Sequence, residues 1–212
     1  MNPKLFFAIF LLATSLFADA SLFEKVERVG VTFGGYTLGK VLNAGQKSIA
    51  EKNREQANVA GTYKFRDGDL HIVADRENDR VVLLYQTFDM VDSERMKQLV
   101  SRCIGAFEEP TTVTHNNIIY WFYHEEGHKI TLEAFEAWRA KMNPDAKGAA
   151  ESSLAALLKS GQGDDRRLHQ LVTVKFSTTK PIFSKEEKYL DASAYLMVSS
   201  EPLISANYPV IR

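Results

Sequence analysis

The chain has 212 residues, 45 % of them hydrophobic, and a formal net charge of −1. This balance argues against a polyanion partner, because nucleic-acid binding needs a basic face that displaces counterions, and against an electrostatic membrane clamp. One cysteine, Cys103, excludes an intramolecular disulfide.

Residues 1–20 read as a cleavable signal peptide. A positively charged start, Met1 to Lys4, precedes an apolar run from Leu5 to Phe17, and Ala18-Asp19-Ala20 offers the small-x-small cleavage pattern. The run is shorter than the about 20 apolar residues that span a bilayer, so no transmembrane anchor is expected after cleavage. No cysteine stands directly at the cut to carry a lipid. The expected product is an exported protein beginning near Ser21, periplasmic or secreted. Lys4 and Asp19 leave together, so its net charge stays at −1.

Ser21 to Phe33 fits a short helix or a strand. After Gly34-Gly35, Thr37 to Leu42 reads as a short helix capped by Thr37, and Gln46 to Asn58 as a second helix or a loop. Gly61–Arg66 and Leu70–Asp75 flank Asp67-Gly68, a hairpin signal because Gly accepts the positive φ of a tight turn. A third strand runs from Arg80 to Phe88. The pattern then repeats. Asp92 caps a helix to about Ile104, with Glu94 in its first turn and Gly105 at its exit. Thr111–His115 and Ile118–Tyr123 read as strands around Asn116-Asn117, and His128–Thr131 as a short third strand after Glu125-Glu126-Gly127.

Cys103 lies on the helical stripe Met96, Leu99, Val100, Cys103, Ile104, Phe107, the setting of a buried structural thiol rather than a reactive or intermolecular one. From Thr131 the period turns helical again, with Leu132, Phe135, Trp138 and Met142 on one stripe and Asn143-Pro144 as a stop. Asp145–Ser153 reads as a linker, Leu154–Lys159 as a short helix and Gly161–Asp165 as a break. Leu168–Phe176 and Tyr189–Ser199 alternate as strands joined through Pro181 and a charged tip, Lys185–Lys188. They form either a third unit or extra strands on the second sheet. The expected fold is α+β: helices packed on antiparallel β-meanders, in tandem α-β-β-β units over 21–142. A C-terminal α/β extension over 143–212 packs on the same core.

His124-Glu125-Glu126-Gly127-His128 spells H-E-x-x-H. On a zinc-peptidase helix this spacing puts two His ligands one turn apart, and the Glu activates the metal-bound water. Here His124 and His128 would be the ligands and Glu125 the base of a zinc-dependent hydrolase. The context favours a turn instead. The run before it is β-branched and aromatic, which suits a strand, and Gly127 weakens a helix by about 1 kcal/mol relative to Ala. No third ligand follows at short range, and Glu151 is the distant candidate. His71, His115 and His169 carry no motif, and nucleophile-elbow, phosphate-loop and EF-hand patterns are absent.

In Tyr120-Trp121-Phe122-Tyr123, alternation sends Tyr120 and Phe122 to one side of a strand and Trp121 and Tyr123 to the other. One side must face helices. The other is either covered core or an aromatic partner surface, which makes these four residues the interface candidates.

Gly35-Tyr36-Thr37-Leu38-Gly39-Lys40-Val41-Leu42 resembles the Gly-x-Thr-x-x-x-Val helix start of small outer-membrane assembly proteins of the SmpA/OmlA (BamE) type. Ile104-Gly105-Ala106-Phe107-Glu108-Glu109-Pro110 is similar to the Leu-Gly-x-Pro exit of the same group, whose helix-on-meander architecture is shared with the β-lactamase-inhibitor-protein fold. The likeness covers about Gly34 to Thr131. The chain departs from the group in lacking a lipidated Cys and in its long insert between Leu42 and Gly61. What the resemblance implies is a binding scaffold. The expectation is a non-catalytic, cofactor-free envelope protein that binds another envelope protein through its sheet. The alternatives are the zinc hydrolase and a small-ligand or lipid carrier with a cavity between helix and sheet.

Overall fold

The computed structural model describes residues 22–57, 59–115, 117–142, 168, 170–182 and 189–208. The expected signal peptide, linker, 154–159 helix, Gly161–Asp165 break, Asn143-Pro144 stop and charged tip all lie outside the described residues, as do Asn116, Glu151 and His169. The described chain is α+β, with five helices, a two-stranded sheet and a large antiparallel sheet of eight strands. None of its helices is long and apolar enough to cross a membrane. The chain divides into two compact units, one formed by residues up to 84 and from 199 onward, the other by 85–198.

In the first unit, helix α1 (residues 22–29) leads into a hairpin of β1 (Thr32–Phe33) and β2 (Tyr36–Thr37), which turns through Gly34-Gly35. The expected helix over Thr37–Leu42 does not form. Thr37 closes the hairpin against Thr32, and Val41 bridges Arg80. The helix start lies further on, where Asn43 supplies what Thr37 cannot: a capping box with Gln46. The Asn43 side chain accepts the Gln46 N–H, and the Gln46 side chain accepts the Asn43 N–H. Helix α2 therefore spans Ala44–Lys52, and the motif residues Gly35–Leu42 precede it.

Strands β3 (Arg54–Glu55), β4 (Thr62–Asp67), β5 (Leu70–Asp75) and β6 (Val81–Val91) then pair in sequence. The β4–β5 hairpin turns at Asp67-Gly68 as its sequence predicts, with Phe65 opposite Ile72, both fully buried. Three tyrosine hydroxyls tie this unit's loops down. Tyr36 donates to Asp67 at 2.9 Å, Tyr63 to Asp79 at 2.7 Å, and Tyr208, just beyond α5 (Glu201–Asn207), to Asp75. Lys47 approaches Asp79 at 2.6 Å and, with the Tyr63 hydroxyl, holds its carboxyl below the usual carboxylate range.

The second unit contains the later part of β6, helix α3 (Ser93–Phe107), β7 (Thr112–Thr114), β8 (Ile118–His124), α4 (Leu132–Met142), β9 (Gln170–Thr178) and most of β10 (Ala192–Ser199). Asp92 caps α3 by accepting the Arg95 N–H at 2.7 Å. The helix passes through Gly105 and ends at Glu108, whose φ of 63° takes the left-handed exit expected of the glycine. The strand order is β6-β10-β9-β8-β7. β9 and β10 are thus extra strands of this sheet, and they displace the expected third strand over His128–Thr131. That segment makes a single bridge, Tyr123 to Lys129.

Gly39 shows how closely the first unit is packed. Its φ is +80°, and a Cβ there would lie 2.7 Å from the Glu27 amide nitrogen and 2.8 Å from the Phe23 carbonyl oxygen, both backbone atoms of α1. Gly35 has a similar φ of +84° with nothing near its missing Cβ. Gly35→Ala is expected to cost about 1–2 kcal/mol, from backbone strain alone. Gly39→Ala adds a clash with rigid backbone and is expected to cost about 3–5 kcal/mol. Urea unfolding of the two variants side by side isolates the steric difference.

Candidate functional site

The H-E-x-x-H residues sit on a strand end and a turn. β8 extends to His124, a turn follows over Glu125–Gly127 with Gly127 at φ 84°, and the chain comes back antiparallel. The Gly127 N–H donates to the His124 carbonyl at 3.0 Å, the His124 N–H to the His128 carbonyl at 2.8 Å, and the Ile130 N–H to the Phe122 carbonyl at 2.7 Å. His124 and His128 therefore face one another across a hairpin rather than stacking on one helix face. Among the described residues, no group of three or more His, Cys, Asp or Glu could hold a metal ion. The helix geometry through which Glu125 would act as a base is not formed here.

Thr111 fixes this bend. It is fully buried, and its Oγ1 accepts the Phe122 N–H at 3.1 Å while donating to the Ile130 carbonyl at 2.6 Å. Its own N–H donates to the Tyr120 carbonyl at 2.8 Å. One hydroxyl thus satisfies a donor and an acceptor that would otherwise be orphaned between two short edge segments.

The four aromatic candidates separate by burial. Trp121 is 0 % exposed, packs on Phe107 of α3 with ring centroids 5.7 Å apart, and donates its Nε1–H to the Glu108 carbonyl at 2.9 Å. Phe122 is also 0 % exposed and packs on Phe135 of α4, with centroids 5.9 Å apart; Trp138 extends the cluster. The expectation that these two line a partner surface is corrected: helices cover both faces of β8 at these positions. Tyr120 and Tyr123 are half-buried. On the α3 side, Tyr123 reaches the Phe107 carbonyl at 3.5 Å, and burial with the nearby Glu108 carboxylate pushes its hydroxyl up to about 12.

A second surface, missed from sequence, lies on the sheet face opposite α3, beside the part that α4 covers; Tyr120, stacked on Phe122 with centroids 5.4 Å apart, borders that covered cluster. Register places Tyr120 opposite Lys175, whose ammonium is 5.9 Å from the Tyr120 ring centroid. Thr179 and Ser193 join β9 to β10, with Thr179 N–H donating to the Ser193 carbonyl at 3.0 Å. That alignment puts Thr173, Lys175 and Ser177 on the same face as Ser193, Tyr195 and Met197, all half-buried, while Val174, Phe176, Leu196 and Val198 are buried on the other. Tyr195 meets Tyr85 of β6 at 5.8 Å between centroids. The signal was available in the alternation of polar and aromatic residues along Thr173–Ser177 and Ser193–Met197, provided that β9 and β10 were placed between β6 and β8.

A shallow cleft of about 400 Å³ adjoins the turn, lined by His124, His128, Ile130, Ala134, Trp138 and Leu168. Cys103 is buried on α3 and its thiol is pushed up to about 12 by desolvation. His71 is in the first unit, 3.1 Å from Glu55, which Lys64 also approaches at 3.0 Å. Hydrogen bonding to Lys64 and His71 holds the Glu55 carboxyl below its usual range.

No family model, no curated protein and no solved structure matches this chain.

Thr111→Val keeps the side-chain volume and deletes the hydroxyl. It leaves the Phe122 N–H and the Ile130 carbonyl without a partner and is expected to destabilise the protein by roughly 2–5 kcal/mol in urea melts. Thr111→Ser keeps both hydrogen bonds and is expected to cost about 1 kcal/mol, for the lost methyl. Cys103 is expected to resist an aromatic disulfide reagent at pH 8 and to react only at the rate of unfolding, followed as thiolate release with and without urea.

Proposed function

We propose that the protein is exported and acts as a non-catalytic binding scaffold of the cell envelope, periplasmic or secreted, that meets a protein partner through its sheet. The observation that carries this reading is the tyrosine-bearing face opposite α3. Tyr85 and Tyr195 are held half-buried on the neighbouring strands β6 and β10, and Tyr120 on β8 beyond β9, with Met197 and Lys175 on the same face. Tyrosine supplies large contact area with few rotamers to freeze, plus a hydroxyl for hydrogen bonding, and Met adapts to irregular surfaces; both are enriched where proteins dock. The resemblance of short motifs to outer-membrane assembly proteins points the same way. The turn geometry of His124–His128 supports this reading over the zinc hydrolase, since the metal-binding arrangement needs a helix.

Site-specific photocrosslinking in cells tests it. A benzophenone side chain at Tyr120 or Tyr195 is expected to give a discrete higher-mass adduct in the soluble envelope fraction, whereas the same group at Glu94, exposed on α3, gives none. Absence of adducts from both face positions, or equal adducts from Glu94, overturns the surface. Stoichiometric zinc in the purified protein, lost on His124→Ala, overturns the non-catalytic reading.

A further inference from the structure

We propose that a cleft in the first unit binds the oxyanion of a small ligand, a phosphate or carboxylate group, between Arg54 and Arg76. The cleft has a volume of about 530 Å³, within the range of small-ligand sites, and Gly61, Thr62 and Tyr63 line it together with the two arginines and Glu55.

The carboxylates around the cleft already have partners of their own. Asp79 is held by Lys47 at 2.6 Å and by the Tyr63 hydroxyl at 2.7 Å. Glu55 is held by Lys64 at 3.0 Å and by His71 at 3.1 Å. The Asp75 carboxylate accepts the backbone N–H groups of Glu77 and Asn78, at 2.8 and 3.0 Å, and the Tyr208 hydroxyl. Among the described residues, neither Arg54 nor Arg76 has a carboxylate within 4 Å, although the Arg54 charge also helps hold the Asp79 carboxyl low, behind Lys47 and the Tyr63 hydroxyl. Two cationic groups thus border one polar cleft, and the one carboxylate in its lining, Glu55, is engaged by Lys64 and His71.

Both guanidinium groups are also positioned. Arg54 lies over the Tyr63 ring, its Cζ 4.8 Å from the centroid, a contact that restricts where the guanidinium can sit. Arg76 is tethered at the other end, donating from Nη2 to the Thr62 carbonyl at 3.2 Å. Tyr63 itself is fixed by its bond to Asp79 and stacks on Phe65 with centroids 6.2 Å apart. Such tethers reduce the side-chain entropy lost on binding, and guanidinium forks match the geometry of carboxylate and phosphate oxygens.

The test uses the full chain titrated separately with sodium phosphate and sodium acetate at fixed ionic strength, followed by the arginine Nε–H resonances and by calorimetry. Saturable shifts at Arg54 and Arg76 are expected with at least one of the two anions. Arg54→Gln or Arg76→Gln is expected to weaken that binding roughly tenfold or more, while Arg139→Gln on α4 leaves it unchanged. Saturation by phosphate alone assigns a phosphate-bearing ligand, and by acetate alone a carboxylate. Unsaturable shifts with both anions, or an affinity that neither cleft substitution changes, mean an adventitious ion only and overturn the site.

Discussion

The clasp made by the Thr111 hydroxyl is the constraint on which the second unit's site depends. β8 is flanked on its outer edge by two short segments. β7 pairs with Ile118–Tyr120, and the return after the turn pairs with Phe122–His124. Neither segment alone covers the edge, and the junction would expose the Phe122 N–H and the Ile130 carbonyl in a buried place. Thr111 fills that junction with one side chain that both accepts and donates. Because Ile130 is held there, α4 begins two residues later and its Phe135 comes down on Phe122. The bend at the histidines, the covered aromatic strand and the closed sheet edge thus follow from a single hydroxyl in the right place.

The first unit solves a different problem with the same economy. Its hairpins turn through Asp67-Gly68 and Asp75–Asp79, and each turn carries an Asp that accepts a tyrosine hydroxyl from elsewhere in the unit. Asp75 is the most committed, since its other oxygen takes two backbone N–H groups of the turn itself. A local Asx-type bond that shapes the turn is thereby coupled to a distant ring that anchors α5 to the sheet. These bonds fill the acceptor positions of Asp75 and Asp79, so neither carboxylate comes within 4 Å of the Arg54 or Arg76 guanidinium.

Much of the architecture was legible in residue patterns, for reasons that differ by element. Asp67-Gly68 and the cap at Asp92 are local signals, and local signals suffice when the same few residues make the structure. The strand preference of Ile118–Tyr123 and the turn preference of Gly127 agreed with each other, and together they outweighed the letters of the metal motif. Thr37 misled because a hydroxyl before an apolar run resembles a helix cap, while the pairing of Thr37 with Thr32 depends on the Gly34-Gly35 turn. The reciprocal pair Asn43 and Gln46 was the stronger signal. The aromatic strand was misjudged in part because burial of both faces is decided by tertiary layering: Phe135 and Trp138 come from a helix beyond the turn, and Phe107 from one before the strand. The placement of β9 and β10 between β6 and β8 is a long-range choice that no local pattern encodes.

That long-range choice also decides what kind of recognition the sheet can support. In the second unit the sheet ends in β7, three residues long, and the return after the turn bridges the next stretch of the β8 edge at Lys129, so little free backbone is offered there to an incoming strand. Recognition by strand addition is therefore disfavoured, and a partner would have to read side chains. On the face opposite α3, outside the part that α4 covers over Phe122, the large side chains are tyrosines, a methionine and a lysine rather than aliphatic core residues. Their hydroxyl and ammonium ends tolerate water when the face is open, and their rings and methylene stems provide apolar area when it is covered. A face built from Leu or Ile would require permanent burial, whereas Tyr85, Tyr120, Lys175 and Tyr195 suit a surface that is covered reversibly.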